Sequence, residues 1–375
     1  MKIYIICLLS SLIGDMSNVR GVTRSMADLY APKQLIIHEI KANEVKKADA
    51  LIRTFEDADK IVVIGAGADS LAAVLTLKNS FKNRIYTAWS GHQLPEDGNL
   101  LLIDRINLPK GIAPDTLKIS GHLTETIGVP HNLTKADLKN SLEEWSDRIP
   151  VTNKKKLVLI LGGDAPLSDG KTQKLYTIKE AEELADYIEI LAKKDDYYVY
   201  VTNGPRTGKF HNDTMKENNT VHRGNTDISE PTDSVSAAFL NRLRSKNFKD
   251  FYFADFRYAT PSISAYKPFL GLLETSDLLI LPGESVSMFS ETIGLTNNRI
   301  GYITSSMNDA HYKSMDGFKK ESHTSILSLP VTTGKYDLEK NAIAETIEEP
   351  EPAAMTFAKA IKADLARTKI TGLQR

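Results

Sequence analysis

The sequence is poor in cysteine, in net charge and in long apolar runs, and each shortage excludes a class of protein. A single cysteine, Cys7, stands among 375 residues, so no disulfide closes within the chain and no paired-cysteine metal site forms. The formal net charge is −1, which leaves no electrostatic footprint for nucleic acid or an anionic membrane surface. No stretch approaches the roughly 18 apolar residues of a membrane-spanning helix. H-E-x-x-H, EF-hand, G-x-S-x-G and phosphate-loop patterns are all missing, and Gly170-Lys171-Thr172 lacks the upstream glycine that a phosphate loop needs. No tightly bound metal or cofactor is expected.

What remains is an ordinary globular composition, 41% apolar and 25% charged, in a length that suits two cores rather than one. A reducing, bacterial cytoplasmic setting fits it, export into a host cell being the alternative. Short apolar runs alternate with helical periodicity, the pattern of parallel sheets built from βαβ units. In the first half, residues 3–9, 34–38, 60–64, 84–89, 100–104 and 116–119 read as strands, and 18–30, 43–55 and 71–78 as helices. Lys2 and the apolar run after it also have the form of a short signal peptide, but the Gly14-Asp15 turn beyond favours a buried parallel strand. Thr134 and Asp137 predict a capped helix reaching Trp145, and the breakers around Pro150 mark a domain junction.

The second half repeats the scheme, with strands over 156–161, 197–202, 251–253, 278–281 and 299–303. Helices are expected over 176–193, 234–244, 268–273 and from Met288, and a last one over 353–365 follows the linker Glu348-Glu349-Pro350-Glu351-Pro352. The expected organisation is α/β: one Rossmann-like domain over residues 1–150, a second over 151–345, and a linker with a terminal helix over 346–375. Doubly wound sheets take ligands at the carboxyl ends of their strands, here across the crevice expected between the two domains.

The strongest candidate site is Gly283-Glu284-Ser285-Val286-Ser287-Met288-Phe289-Ser290-Glu291, where a strand meets a small-residue turn and a helix opens. Free amides at a helix start bind anions. Ser285 and Ser287 would donate to phosphate, and Glu291 would accept from ribose hydroxyls; equally, either serine would simply cap its own helix. After another strand come Gly204, Arg206 and Thr207, the arginine carrying a forked cation suited to phosphate, although a loop arginine is more often only solvated. Gly162-Gly163-Asp164 would let a ligand approach the backbone, or mark an ordinary turn. In the first half, Gly65-Ala66-Gly67-Ala68-Asp69 lacks the third glycine of a dinucleotide fingerprint, and no acid ends the following strand, so an oxidoreductase is disfavoured. Asp15 is a base or a helix-capping acid, and the loop histidines His92 and His131 are bases or bystanders.

Together these segments resemble the Elm-type mitochondrial-fission proteins and their bacterial relatives. Glu284 to Glu291 is similar to that family's D-S-V-S-M-x-S-E, Asn203 to Thr207 to its S-R-R-T turn, and Leu161 to Asp164 to its I-G-G strand end. Gly14, Asn18 and Gly21 resemble its opening G-x-x-x-N-x-x-G, and Gly128 to Thr134 its G-A-P-H-R-V-T. The resemblance implies a GT-B glycosyltransferase-type fold in which Gly163, Arg206, Thr207, Ser285, Val286, Ser287 and Glu291 bind a nucleotide-diphosphate sugar. The leading expectation is transfer of the sugar to an acceptor the sequence does not name, with a first-half base such as Asp15, His92 or His131. The alternatives are a non-catalytic scaffold that recruits a protein partner or peripheral membrane, and a nucleotide-sugar epimerase. The sequence departs from the family at Ala68-Asp69, where an arginine pair is usual, and at His92-Gln93-Leu94-Pro95, a loose form of Q-D-P-R.

Overall fold

A computed structural model describes residues 1–95, 99–147, 149–166, 172–210, 233–256, 267–273, 275–294, 298–340 and 350–367. Gly170, Lys171, Glu348 and Glu349 lie outside these. The chain divides into two compact units, Met1–Leu133 with Pro350–Arg375, and Thr134–Glu349.

Unit 1 alternates strands and helices: β1 (Ile3–Leu9), α1 (Ile13–Leu29), β2 (Leu35–Lys41), α2 (Val45–Arg53), β3 (Lys60–Ala66), α3 (Gly67–Phe81), β4 (Tyr86–Ser90), β5 (Arg105–Pro109), α4 (Asp115–Ile119) and β6 (Leu123–Thr126). Its sheet is parallel, in the order β2-β1-β3-β4-β5-β6. The chain leaves β1 to one side and returns to β3 on the other, so the switch point lies between β1 and β3. Residues 3–8 of β1 are buried throughout, Ile3, Ile5 and Cys7 toward α1 and Tyr4, Ile6 and Leu8 toward the opposite core. A strand covered on both faces reads as a continuous apolar run, which is why this one is unmistakable in the sequence.

Unit 2 begins with α5 (Lys135–Trp145), closed by the Thr134–Asp137 capping box. It continues through β7 (Lys155–Ile160), the small pair β8 (Ala165–Pro166) and β9 (Gln173–Lys174), α6 (Ile178–Asp195), β10 (Tyr197–Thr202), α7 (Ser234–Ser245), β11 (Phe251–Ala254) and α8 (Lys267–Leu273). Then come β12 (Leu278–Pro282), α9 (Val286–Thr292), β13 (Arg299–Tyr302), α10 (Asp309–Glu321), β14 (Thr324–Ser328), α11 (Pro330–Thr333) and β15 (Asp337–Glu339). The sheet order is β11-β10-β7-β12-β13-β14-β15, parallel except for β15. Ignoring that last strand, it is the 3-2-1-4-5-6 winding of a dinucleotide-binding sheet, with its switch point between β7 and β12. Each unit is a Rossmann-like α/β domain with its own sheet.

Five expectations are corrected. The first unit ends at Leu133, not near Pro150, because α5 packs on α8: a Cβ on Gly271 would come within 2.9 Å of the Leu142 backbone. The terminal helix α12 (Ala353–Arg367) is not an appendage but part of unit 1. Its Phe357, Ala358, Ile361 and Leu365 join the β1 core, and Asp364 accepts from both Arg105 and Tyr86. The run 100–104 is no strand: Asn99–Leu102 forms a 3₁₀ turn with Leu101 and Leu102 exposed, and β5 begins only at Arg105. Likewise 116–119 falls in α4, and the strand is β6. The sheet of unit 2 also continues past residues 299–303 into β14 and β15.

Candidate functional site

The carboxyl ends of β7, β10, β12 and β13 meet around the switch point of unit 2. The turn after β7 is clasped to the turn after β10. Asp164, fully buried, donates its amide to Arg206 O at 3.0 Å and accepts from the Tyr176 and Phe210 amides at 2.9 Å each. A Cβ on Gly163 would stand 2.8 Å from Arg206 Cβ. The space on the Cβ side of Gly163 is therefore filled by the protein's own chain. Thr207 is equally internal, since its hydroxyl accepts from the Gly204 amide at 2.9 Å and donates to Leu161 O at 3.3 Å. Asn203 completes the clasp by bonding Asp233 and Ser236 at the start of α7.

That internal bonding leaves Arg206 projecting. It is exposed and forms no ion pair among the described residues. Lys209, half-buried three residues on, stands close enough for the two cations to repel: burial lowers its pKa, Arg206 lowers it further, and Asp164 opposes. Nothing in the sequence Thr207-Gly208-Lys209 marks Lys209 out. The only signal available was its spacing of three from Arg206, which one turn of chain brings to the same side.

Across the switch point, Ser285 precedes α9 with a non-helical backbone and makes no side-chain cap. The capping alternative thus fails for Ser285, and the half-buried Ser287 has no hydrogen-bond partner among the described residues. Val286 is 3% exposed and serves packing. With only seven residues, α9 has too little axis for its dipole to decide anything, so the side chains carry the site. Glu291 is 8% exposed, with no partner for its carboxyl among the described residues. Burial pushes its pKa up to about 8. At neutral pH such a carboxyl is largely protonated and both donates and accepts hydrogen bonds. Glu284, outside the expected site set, accepts from the Gly163 amide at 2.6 Å and from Thr304 Oγ1 at 2.8 Å. It stands where the resembled motif has an acid directly before the first serine, and that was its signal.

The three candidate bases lie in unit 1, in segments that follow three different strands. Asp15 is in the first turn of α1, its carboxylate 2.0 Å from where a Cβ on Gly67 would stand; only glycine, here at φ +71, admits it. His92 is half-buried in the loop after β4. His131, half-buried after β6, lies in a segment held to α1: its carbonyl is 2.1 Å from a Cβ on Gly21, and Asn132 bonds Ser17 and Arg24. Among the described residues no three His, Cys, Asp or Glu side chains are grouped to hold a metal ion, and no helix is long and apolar enough to cross a membrane.

No curated protein matches the chain in sequence. Among solved structures it is distantly similar to the S. aureus MnaA–UDP co-structure, at 10% identity and TM-score 0.44 over 98% of each chain. It is similar to the same degree to a glycosyl transferase family 9 structure from Veillonella parvula, again at 10% identity and 0.44 over 98% of each. A putative UDP-N-acetylglucosamine 2-epimerase from Listeria monocytogenes follows at 10% and 0.41, over 81% of each. The model of the mitochondrial fission ELM1 family matches residues 12–242, which include Asp15, His92, His131, Gly163, Arg206 and Thr207 and stop short of the Ser285–Glu291 segment. That match takes in more than half of the sequence, and the chain belongs to the mitochondrial fission ELM1 family.

Proposed function

We propose that unit 2 binds a nucleotide-diphosphate sugar at its switch point, and that the protein transfers the sugar to an acceptor. The observation that carries this reading is the set of polar groups left without partners there among the described residues: Arg206, Ser285, Ser287 and the buried Glu291. Of these only Glu291 is buried, where an unpartnered carboxyl is costly, and a ligand at a doubly wound sheet's ligand edge would complete it together with the more exposed three. Arg206, with Lys209 beside it, meets the charge of a diphosphate; the two serines donate to its oxygens. Glu291, protonated near neutrality, both donates to and accepts from a vicinal diol such as ribose. As the sugar leaves, the same cations and hydroxyls hold the charge that grows on the diphosphate. The base toward the acceptor is to be sought among Asp15, His92 and His131.

The test is a thermal-shift screen against UDP, GDP, CMP, TDP and their sugar conjugates, run on the wild type and on Glu291→Ala. A ligand at a hundred times its Kd adds about 2.7 kcal/mol to stability. One nucleotide should therefore raise the Tm of the wild type and leave the variant unmoved. Silence from a well-folded wild type would end this reading and favour a scaffold that recruits a partner. Stabilisation followed by turnover without any acceptor would replace transfer with hydrolysis or epimerisation.

A further inference from the structure

Three neighbouring strand ends are joined through one side chain. Glu284, two residues past the end of β12, accepts from the Gly163 amide beyond β7 and from the Thr304 hydroxyl beyond β13. Thr304 Oγ1 is in turn 2.9 Å from Ser306 Oγ. The Gly163 amide lies at the switch point, where an anionic ligand of such a sheet finds its backbone donors. In this protein a carboxylate already holds that amide.

The surroundings sharpen the conflict. Glu180 of α6, bound by the Ser305 amide and hydroxyl, adds a second carboxyl that faces Glu284. The hydroxyls of Tyr176 and Tyr302 face it too, and burial, with the charge of Glu284 adding to it, makes each harder to ionise. Arg206 lies against Gly163 from the side of β10. A diphosphate drawn to Arg206 and Lys209 therefore meets a like charge on the amide beside them.

We propose that an anionic ligand displaces Glu284 from the Gly163 amide and that the displaced carboxylate takes up one proton from solvent, so that binding tightens as pH falls. The inference rests on the reading of unit 2 as a nucleotide-diphosphate-sugar site. Glu284 is suited to the part. Burial pushes its pKa up to about 7, Glu180 pushes the same way, and the bonds from Gly163 and Thr304 hold it down. Losing the Gly163 bond and gaining a phosphate nearby both favour the protonated form further. Above the pKa of the free carboxyl, affinity then weakens up to about tenfold for each pH unit.

The experiment is calorimetric titration of the full chain with UDP-glucose and with GDP-mannose, whose phosphodiester charges are constant from about pH 6 to pH 8.5. Two buffers of different ionisation enthalpy count the protons taken up. The wild type should bind one sugar nucleotide at least about tenfold more weakly at the upper end of that range, with net proton uptake. Glu284→Gln, which keeps an acceptor for the Gly163 amide, should lose both slope and uptake while binding at high pH as tightly as the wild type does at low pH. Thr304→Val, which removes a bond to the charged form, should move the midpoint upward without abolishing it; a merely structural role for Glu284 would not produce that shift. A flat wild-type profile overturns the proposal and leaves the site reading standing. A slope that survives Glu284→Gln also overturns it, assigning the proton elsewhere, with Glu291 the other raised carboxyl. If neither probe binds the wild type or Glu284→Gln at any pH, the site reading falls and this proposal with it.

Discussion

At the carboxyl end of the sheet in unit 1, polar side chains are bonded to one another, with Asn18 Oδ1 left over; at the corresponding end in unit 2, several are left over. In unit 1, Ser10 and Ser11 donate to Asp69 across the switch point. Asn18 and Asn107 both donate to Ser90, Thr126 donates to Asn107, and the chain of bonds ends at the Gly128 carbonyl. In unit 2, the β7 and β10 turns are bonded just as thoroughly, yet Arg206, Ser285, Ser287 and the buried Glu291 carry no ion pair or side-chain hydrogen bond among the described residues, and Lys209 meets only the Phe210 ring and the charges of Arg206 and Asp164. Two differently wound parallel sheets thus end in one strand-end surface bonded mostly within itself and one with several side chains to spare.

The contrast is broken most easily at Gly21. If the strand ends of unit 1 are a packed region, Gly21→Ala drives a methyl into the His131 carbonyl, 2.1 Å away and part of the backbone. Overpacking against backbone cannot be relieved by a rotamer change, and the expected loss is about 3–4 kcal/mol in denaturant unfolding. Wild-type stability in this variant would mean that the 131–132 segment yields freely, and the two units would then differ less than they look.

Glu291 tests the other side. Its carboxyl has a pKa of about 8 in the folded chain against an ordinary 4.5, so between those values the folded state keeps a proton that the unfolded state has lost. The stability it contributes is fully present below about pH 4.5 and is lost progressively as pH rises toward 8. Each pH unit between those two values costs at most roughly 1.4 kcal/mol, and burial in the free protein is incomplete, so Glu291→Gln should stabilise the chain at pH 8 by about 2–3 kcal/mol. It should also flatten the profile from 4.5 upward, apart from the part due to Glu284. The stabilised variant should bind nucleotide less well, as expected of a residue kept for a ligand at a cost to the fold. An unchanged pH profile would show that solvent reaches the carboxyl and that unit 2 is no less satisfied than unit 1.

What was legible in the sequence follows from the same physics. Strands buried on both faces, β1, β3, β7 and β12, declare themselves as apolar runs. By contrast β5 carries Arg105, paired with Asp364 some 259 positions away, and Asn107, bonded to Ser90 and Thr126, so its pattern was read one element too early. The polar run of β14 hid the end of the second sheet in the same way. Of the expected binding residues, Arg206, Ser285, Ser287 and Glu291 carry no side-chain partner among the described residues, which is what the proposed site rests on. Gly163 and Thr207 belong to the clasp that positions Arg206, a distinction that depends on which partner each atom finds and that no motif spells out. Glu284 and Lys209 went unread because their importance lies in proximity to Gly163 and Arg206, across a sheet and along a turn.

A smaller effect separates positioning from contact within unit 2. Arg206 is exposed and has no ion pair among the described residues, so Arg206→Gln should leave the Tm within about 1 °C of wild type, as surface substitutions do. It should nevertheless weaken nucleotide-sugar binding tenfold to a hundredfold, the range of about 1.5–3 kcal/mol that charge-assisted bonds contribute. Lys209→Gln should cost less, about threefold to tenfold, since its charge is already discouraged by burial and by Arg206. Raising the salt concentration should shrink both differences. Equal affinities in wild type and Arg206→Gln would mean that the projecting cation serves solvation alone.

The smallest expected change is also the most discriminating. Asp15→Asn and His131→Gln alter groups in unit 1, whereas every residue assigned to the nucleotide site belongs to unit 2, and both substitutions preserve size and hydrogen bonding. Nucleotide affinity should stay within about twofold of wild type, since sites that share no partners act independently. If the protein transfers sugar, turnover should fall by about a hundredfold or more in whichever variant has lost the acceptor's base. Binding preserved with turnover lost would divide the labour between the units as their strand ends suggest, one holding the donor and the other supplying the proton acceptor. Binding lost in either variant would mean that the tied-down surface of unit 1 takes part in holding the nucleotide, and the distinction between a strand end bonded within itself and one with side chains to spare would no longer identify the binding unit.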